Sequence, residues 1–147
     1  MIDIQKRPAV PSDEAFMRKL HKAAYHDVVV RQFGCWDDEV QYSFFTEKWC
    51  PEKFEIIEFD GKAIGCISVS SEPDKIFIFE IQLLPEFQGR GIGTELVCAE
   101  IRTARSQQKP VHLQVLRKNE RARAFYERLG FVVSGTTVTH FEMCVVV

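Results

Sequence analysis

The sequence predicts a protein of the α+β class, in which about four helices flank a mixed, mostly antiparallel sheet of about seven strands. The expected arrangement has three layers, as in α/β proteins. Seven short segments have the alternation or apolar content of strands, and four have the spacing or capping residues of helices. They follow one another as β-α-α-β-β-β-α-β-α-β-β. The 147 residues, 46% of them hydrophobic, suffice for a single domain over residues 1–147.

The first predicted elements are a strand and a helix. Ile2 and Ile4 indicate a short strand that ends at the turn made by Pro8. Ser12 follows a proline and is suited to cap a helix over residues 13–25.

A second helix is predicted after a break at Gly34. Asp37 can cap this helix, and Val40, Phe44 and Phe45 form a partial apolar stripe along it. The segment therefore carries the signals of a second helix.

Three strands follow this helical region. Residues 54–59, FEIIEF, alternate as a strand does, and the turn Asp60-Gly61 joins them to a second strand, AIGCISVS. The next strand, IFIFEIQLL, is the most apolar in the chain. A strand of this kind is normally covered on both faces, so we expect it at the centre of the sheet.

The last third of the chain alternates helices and strands. Residues 92–105 and the segment RARAFYERLGF have helical spacing, and Gly130 ends the second of these helices. The strand VHLQVL lies between them, and FVVS and HFEMCVV close the chain. The apolar final strand is a candidate sheet edge, at which a second copy could pair to give a homodimer.

Composition excludes several classes of protein. No apolar run approaches the roughly eighteen residues of a membrane helix, and the first ten residues do not resemble a signal peptide. We therefore expect a cytoplasmic protein. The five cysteines include no C-x-x-C pair and the four histidines have no ligand spacing, which favours buried free thiols and no metal. A pI near 6.1 without an aromatic platform argues against nucleic acid.

The charge is divided unevenly along the chain. Residues 1–84 carry a net charge of -5 and residues 85–130 a net charge of +4. This division is compatible with solvated faces of different composition. It also predicts that the later half holds an anionic ligand and the earlier half attracts a cationic one.

The loop QGRGIG, residues 88–93, has three glycines at alternate positions, after a strand and before a helix. Unpaired N–H groups and the helix dipole favour an anion at such a place, and glycines let the backbone approach it. The loop lacks the Lys and Ser/Thr of a Walker A sequence. Thr94 and Gln114 stand where a dinucleotide site needs a small residue and an acid. Two interpretations of the loop remain: a pyrophosphate loop of the form Q-x-x-G-x-G, or a purely structural turn.

Two segments together resemble the acetyl-CoA core of the GNAT superfamily of N-acetyltransferases. LLPEFQGRGIGTELV resembles the family's pyrophosphate loop, and LQVLRKNERARAFYERLGF resembles its N-x-x-A-x-x-F-Y-x-x-x-G-F element. The match covers approximately residues 76–133, with acceptor-side elements expected in approximately residues 12–50 and in the C-terminal strands. The resemblance implies acetyl transfer from acetyl-CoA to an amine of a small molecule or peptide, within a ternary complex.

The resemblance also implies a cofactor site. The residues it assigns to acetyl-CoA are Leu83, Gln88, Gly89, Arg90, Gly91, Ile92, Gly93, Thr94, Asn119, Ala122, Phe125 and Tyr126. Asn119 is equally suited to cap the following helix. Arg117, Lys118 and Arg121 could reach phosphates or lie in solvent.

Three residues are candidates for catalysis. The resemblance assigns Tyr126 as the acid that protonates the departing thiolate, and the N–H of Leu83 as the donor to the thioester carbonyl. Glu80 is the candidate base, because a carboxylate in an apolar strand beside the cofactor loop has a functional explanation. Glu80 and Gln82 are two residues apart and should share a face, unless a bulge changes which face Glu80 occupies. Asp37, Asp38 and His112 are alternative bases.

The acceptor site is expected in the acidic N-terminal part. Aromatic walls with carboxylates suit a small cationic amine. The candidate residues are Phe33, Trp36, Asp37, Gln82 and His140, with Gln41 and Phe45 as further possibilities. A non-catalytic acyl-CoA-binding sensor or scaffold is the alternative function, which the presence of Tyr126 and Glu80 disfavours.

Overall fold

The computed structural model describes residues 3–147, which form seven strands and four α-helices. The strands are β1 (Ile4–Pro8), β2 (Glu55–Phe59), β3 (Lys62–Ser71), β4 (Ile76–Leu83), β5 (Val111–Leu116), β6 (Val132–Thr136) and β7 (His140–Val145). The helices are α1 (Glu14–Phe33), α2 (Asp38–Lys48), α3 (Ile92–Ser106) and α4 (Glu120–Arg128). Element order matches the prediction, and Ile2 lies outside the described residues. No helix within residues 3–147 is long and apolar enough to cross a membrane.

The strands form one sheet in the order β1-β2-β3-β4-β5-β7-β6. Only β4 and β5 are parallel, so the sheet is mixed and mostly antiparallel. The prediction that the most apolar strand is central is confirmed, since β4 is the fourth of seven. The prediction that the final strand is an edge is wrong, because β7 pairs with β5 and β6 on its two sides. The edges of the sheet are β1 and β6.

The helices cover both faces of the sheet. Val97 of α3 and Phe125 of α4 belong to one apolar cluster on the β4–β7 half. Met17 and Leu20 of α1, with Phe45 of α2, belong to another cluster against β2 and β3. The three-layer arrangement follows from this division.

Helix α1 is longer than predicted and begins differently. It starts at Glu14 with Asp13 at the N-cap, so the predicted cap at Ser12 is wrong. The helix continues past residue 25 to Phe33, because Val28 and Val29 are buried against the sheet. Such packing outweighs the weak helix propensity of β-branched residues.

Asp13 is held by an ion pair at the start of α1. Its two carboxylate oxygens accept hydrogen bonds from Arg7, each at 2.9 Å, and one also accepts the N–H of Val10. Arg7 additionally donates to Glu58 at 3.1 Å. The guanidinium therefore lowers the pKa of Asp13 and ties β1 to the first turn of the helical layer.

Helix α2 is capped as predicted but lies mostly on the surface. Asp37 Oδ1 accepts the N–H groups of Glu39 and Val40 at 2.9 and 3.1 Å. The predicted apolar stripe is largely exposed, since Val40 and Phe44 are about half accessible and α2 buries none of its residues. Only Phe45 of the stripe packs against an apolar cluster.

Strands β4 and β5 separate part-way along their length. They pair from Ile76 to Ile78 with Val111 to Leu113, and β5 then continues beside β7 alone. Residues 79–83 of β4 therefore have a backbone edge that no neighbouring strand covers.

The prediction of buried cysteines holds for one residue. Cys66 is buried in the sheet, whereas Cys35 is exposed and Cys50, Cys98 and Cys144 are half-buried. Cys35 and Cys50 lie between elements, whereas the other three lie in β3, α3 and β7, a difference that composition alone could not reveal.

Candidate active site

A groove of about 2020 Å³ opens where β4 and β5 separate. Residues from α1, α2, β4, the glycine loop, α4 and β7 line it. This groove brings together most of the residues that the sequence predicted for the site.

The glycine loop forms one end of the groove. Gly89 and Gly91 have φ angles of 74° and 86°, and a Cβ atom built on either would meet nothing within 4 Å. The first helical hydrogen bond of α3 runs from Glu95 N–H to Gly91 O, at 3.1 Å. The N–H groups of residues 92–94 therefore precede the helical ladder, at the positive end of the helix dipole and next to the open space at Gly89 and Gly91.

Gly93 has a different role from the other two glycines. A Cβ atom there would lie 3.3 Å from the ring of Phe125, so this glycine lets α3 and α4 pack closely. Arg90 is exposed and its guanidinium lies 5.2 Å from the Phe87 ring centre. Thr94 and Ala122 line the groove.

The end of β4 presents backbone groups to the gap. Leu84 N–H bonds to Ile64 O of β3, at 2.8 Å. Because successive residues of a strand point their N–H groups to opposite edges, the N–H of Leu83 faces away from β3 and into the gap. Gln88 Nε2 donates to Leu83 O at 3.0 Å, so the Gln88 amide braces the strand end.

Asn119 caps α4, which was the alternative to cofactor binding that the sequence left open. Its Oδ1 accepts the N–H of Ala122 at 3.1 Å, and the side chain also lines the groove. Within residues 3–147 its Nδ2 donates to no protein acceptor. One amide can thus hold the helix while its other end faces the groove.

A bulge in β4 decides where Glu80 points. Ser68 pairs with Glu80 and Val69 pairs with Ile78, so Phe79 is an extra residue. In a regular strand Ile78 and Glu80 would share a face, whereas the bulge puts them on opposite faces. Ile78 is buried in the cluster that contains α3, and Glu80 meets α1.

Glu80 is surrounded by polar groups of two elements. Its Oε2 accepts hydrogen bonds from Tyr25 of α1 at 3.3 Å and from Gln82 Nε2 at 3.1 Å. The second contact confirms that Glu80 and Gln82 share a face. Burial, with the nearby charge of Glu80, raises the pKa of both Tyr25 and Tyr126. Both phenols are therefore protonated at neutral pH.

Tyr126 combines an apolar setting with access to the groove. Its ring makes edge contacts with Phe125 and Phe131, at centroid distances of 5.0 and 5.5 Å. Its hydroxyl makes no hydrogen bond to a protein group in the described part of the chain. A partly buried ring with an unpaired hydroxyl at a groove suits a proton donor to a ligand.

The sequence did not predict His21 and Tyr25 as site residues. His21 Nε2 lies 3.4 Å from Gln41 Oε1, and its Nδ1 lies 3.5 Å from Gln82 Nε2. Burial lowers the pKa of His21. Met17, His21 and Tyr25 follow one another at four-residue spacing, so polar residues on the inward face of α1 were the available signal.

The predicted acceptor residues divide into two groups. Phe33, Gln82 and His140 line the groove, as do Gln41 and Phe45. Trp36 instead lines a smaller pocket of about 670 Å³ between α1 and α2. Asp37 is occupied as the cap of α2 and lies outside the groove.

The alternative bases also lie elsewhere. Asp38 is exposed and forms an ion pair with Lys22 at 3.0 Å. His112 is in β5 opposite Cys144 and is absent from the groove lining. Of the four candidates, Glu80 alone lies in the groove. Arg121 lines the groove, whereas Arg117 lies 5.7 Å from the Phe141 ring centre.

Comparison with known proteins identifies the family. Residues 16–131 match the model of the acetyltransferase (GNAT) family. The chain belongs to this family. A GNAT relative, an uncharacterised N-acetyltransferase of Methanocaldococcus jannaschii, is 33% identical over 134 residues, covering 78% of this chain and 59% of that relative.

Other GNAT proteins extend the comparison. A 5-NmdU N-acetyltransferase of Pseudomonas phage PaMx11 is 33% identical over 85 residues, 56% of this chain and 59% of that relative. The chain thus spans about three fifths of these curated relatives. The PaiA N-acetyltransferase of Thermoplasma acidophilum, solved with coenzyme A, has a TM-score of 0.80 at 21% identity over 99% of this chain and 100% of that chain. This likeness confirms the fold.

Proposed function

We propose that the protein is an acetyl-CoA-dependent N-acetyltransferase that acts on a primary amine of a small molecule or peptide, by direct transfer in a ternary complex. The observation that carries this proposal is the single groove that joins a glycine loop, a strand gap, a carboxylate and a phenol. Family membership supports the same reaction class.

The residues of the groove fit acetyl-CoA. The open space at Gly89 and Gly91 and the free N–H groups of residues 92–94 suit a pyrophosphate. The uncovered edge of β4 can bind the amides of the pantetheine arm, and Asn119 Nδ2 is a further donor. Bound acetyl-CoA supplies the acetyl group as a thioester.

Each catalytic residue has a separate task. An alkylammonium must lose a proton before it attacks, at a cost of about 4 to 5 kcal/mol at neutral pH, and Glu80 is the base that receives it. The N–H of Leu83 donates to the carbonyl oxygen as negative charge develops there. Tyr126, kept protonated by its raised pKa, donates a proton to the departing sulfur.

Two measurements on one protein sample test this proposal. Calorimetric titration measures acetyl-CoA binding, and a thiol-release assay then screens polyamines, aminoglycosides, amino acids and short peptides. We expect binding together with release that depends on an amine. Binding without release from any amine would favour the non-catalytic acyl-CoA-binding module. Absence of binding would contradict both functions.

A further inference from the structure

One buried polar atom beside the candidate base has no partner. Gln82 is only 6% exposed, and its Oε1 makes no hydrogen bond within residues 3–147. Its Nε2 is fully used, at 3.1 Å from Glu80 Oε2 and 3.5 Å from His21 Nδ1. Burial of an unpaired acceptor is costly, so an oxygen in this state beside a groove points to a donor that arrives with a ligand.

The orientation of this amide is fixed by its neighbours. If the amide were turned over, its oxygen would face the carboxylate of Glu80, which offers only acceptors. On the other side, His21 Nε2 lies 3.4 Å from Gln41 Oε1. The tautomer of neutral His21 that donates from Nε2 to this oxygen has Nδ1 as an acceptor. Glu80 and neutral His21 both require the NH₂ group of Gln82, and together they turn its oxygen away from themselves.

We infer that Gln82 Oε1 accepts a hydrogen bond from the acceptor amine, and that neutral His21 is the positioning residue that keeps this oxygen available. The inference rests on the proposed function and adds a basis for its selectivity. An ammonium that gives one proton to Glu80 keeps two N–H groups, of which Gln82 can take one. A hydroxyl has a single O–H, which Glu80 would take, so Gln82 would remain unpaired. The site therefore favours amines over alcohols.

Protonation of His21 would undo this arrangement. The groups that face His21 are Tyr25 of its own helix, Trp36, Glu80 and Gln82 of β4, and Gln41 and Lys48 of α2. Burial has the largest effect and lowers the pKa of His21. The contact with Gln41 and the charge of Glu80 oppose this effect, and Lys48 acts in the same direction as burial. A proton on Nδ1 would repel the NH₂ group of Gln82 and attract its oxygen, which would turn the amide over and withdraw Oε1 from the amine.

The first test replaces Gln82 and measures thiol release. Gln82→Met keeps the length of the side chain and removes both polar groups, and Gln5→Met makes the same change on exposed β1. The probes are acetyl-CoA with the panel of polyamines, aminoglycosides, amino acids and short peptides. We expect kcat/KM for every accepted amine to fall about tenfold to a hundredfold in Gln82→Met, with unchanged acetyl-CoA affinity and an unaffected Gln5→Met control.

The outcomes separate this inference from the proposed function. Equal kcat/KM for Gln82→Met and the unaltered protein would overturn the inference and leave the N-acetyltransferase standing. If the unaltered protein releases no thiol with any amine, the proposed function fails and the inference fails with it.

The second test needs no substitution at Gln82, and its first part needs no turnover. Nitrogen-15 NMR of the unaltered protein follows the His21 ring and the Gln82 amide while the pH is lowered. We expect an Nε2–H tautomer at neutral pH and a change in the Gln82 NH₂ signals with the same midpoint as His21. His21→Asn, which keeps an acceptor near Nδ1, should restore much of the activity that His21→Leu loses. The positioning role of His21 would be overturned if the Gln82 NH₂ signals did not change as His21 titrates. It would also be overturned if His21→Asn and His21→Leu lost equal activity.

Discussion

The two walls of the groove, the loop side and the helix side, present different kinds of chemical group. The loop side, residues 83–94 with α4, presents main-chain groups of the loop and of β4 together with the side chains of Asn119 and Tyr126. Behind it, Ile92 and Leu96 of α3 are buried in the core. The helix side, α1 and α2, presents side chains, and α2 buries none of its residues. Main-chain groups are fixed by the fold, whereas side chains can be exchanged singly. In the proposed function, chemistry common to many acceptors can therefore stay on one wall while selectivity is adjusted on the other.

The largest expected effect comes from the phenol on the loop side. Tyr126→Phe removes the proposed proton donor and keeps the ring, so kcat should fall about a thousandfold while acetyl-CoA affinity changes little. Steady-state kinetics and calorimetry measure the two quantities. Unchanged turnover would exclude Tyr126 as the acid.

The carboxylate between the walls should have the next largest effect. Glu80→Gln should lower the rate about a hundredfold below the pKa of the acceptor amine, with a smaller loss above that pKa, where the amine is already neutral. A rate profile over pH measures this difference. A profile parallel to that of the unaltered protein would remove Glu80 as the base.

A glycine substitution tests whether the loop side works through its main chain. Gly91→Val places a β-branched residue at a φ of 86° and fills the open space, so acetyl-CoA should bind at least about tenfold more weakly. Gly61→Val is a matched control, because Gly61 has a φ of 74° in the β2–β3 turn, away from the groove. Both variants should lose stability. Equal acetyl-CoA affinity in both variants would contradict the proposal that the glycine loop binds the pyrophosphate.

The ion pair at the start of α1 anchors the helix side. Asp13→Asn should lower the free energy of unfolding by about 2 kcal/mol, as expected when hydrogen bonds to a charged partner are weakened. The loss is smaller than for a fully buried pair, because the Arg7 side chain is 35% exposed. The pKa of Asp13 is lowered in the folded state, so its contribution is present above the unfolded value of about 3.9 and is lost as the pH falls through the folded value. Urea unfolding at several pH values measures this loss, and Asp74→Asn on an exposed turn is the control. An equal change in both variants would contradict the anchor.

The smallest expected effect compares the caps of two helices. Asp37→Ala should cost about 1 kcal/mol in α2 alone, which makes its amides exchange about fivefold faster and leaves the thermal midpoint nearly unchanged. Asn119→Ala in α4 should lower the midpoint, because α4 packs into the core. Hydrogen exchange and thermal scans distinguish these results. An equal drop in midpoint would show that the two walls are equally tied to the core.

The sequence predicted the loop side better than the helix side, for physical reasons. Positive φ angles and close helix packing require glycine, so the pattern of glycines in the sequence was enough to predict the loop. His21 and Tyr25 gain their roles only when α1 packs on a bulged strand, which no local pattern reveals. The position of β7 inside the sheet likewise depends on long-range pairing. Asp37 and Trp36 were expected in the site from their chemistry. Asp37 instead caps α2, and Trp36 lines the smaller pocket between α1 and α2.

Phe79 is an extra residue in β4, held out of the ladder by the bulge. If Phe79 entered the ladder, every residue after it would change faces: Glu80 and Gln82 would enter the apolar layer under α3, and Ile81 would turn toward α1. If Phe79 were deleted, Ile78 and Glu80 would become neighbours on a regular strand and would keep their present, opposite faces. In the descent of such a protein, the polar face of the groove would therefore survive the loss of this residue, although it depends on the bulge as long as the residue is present.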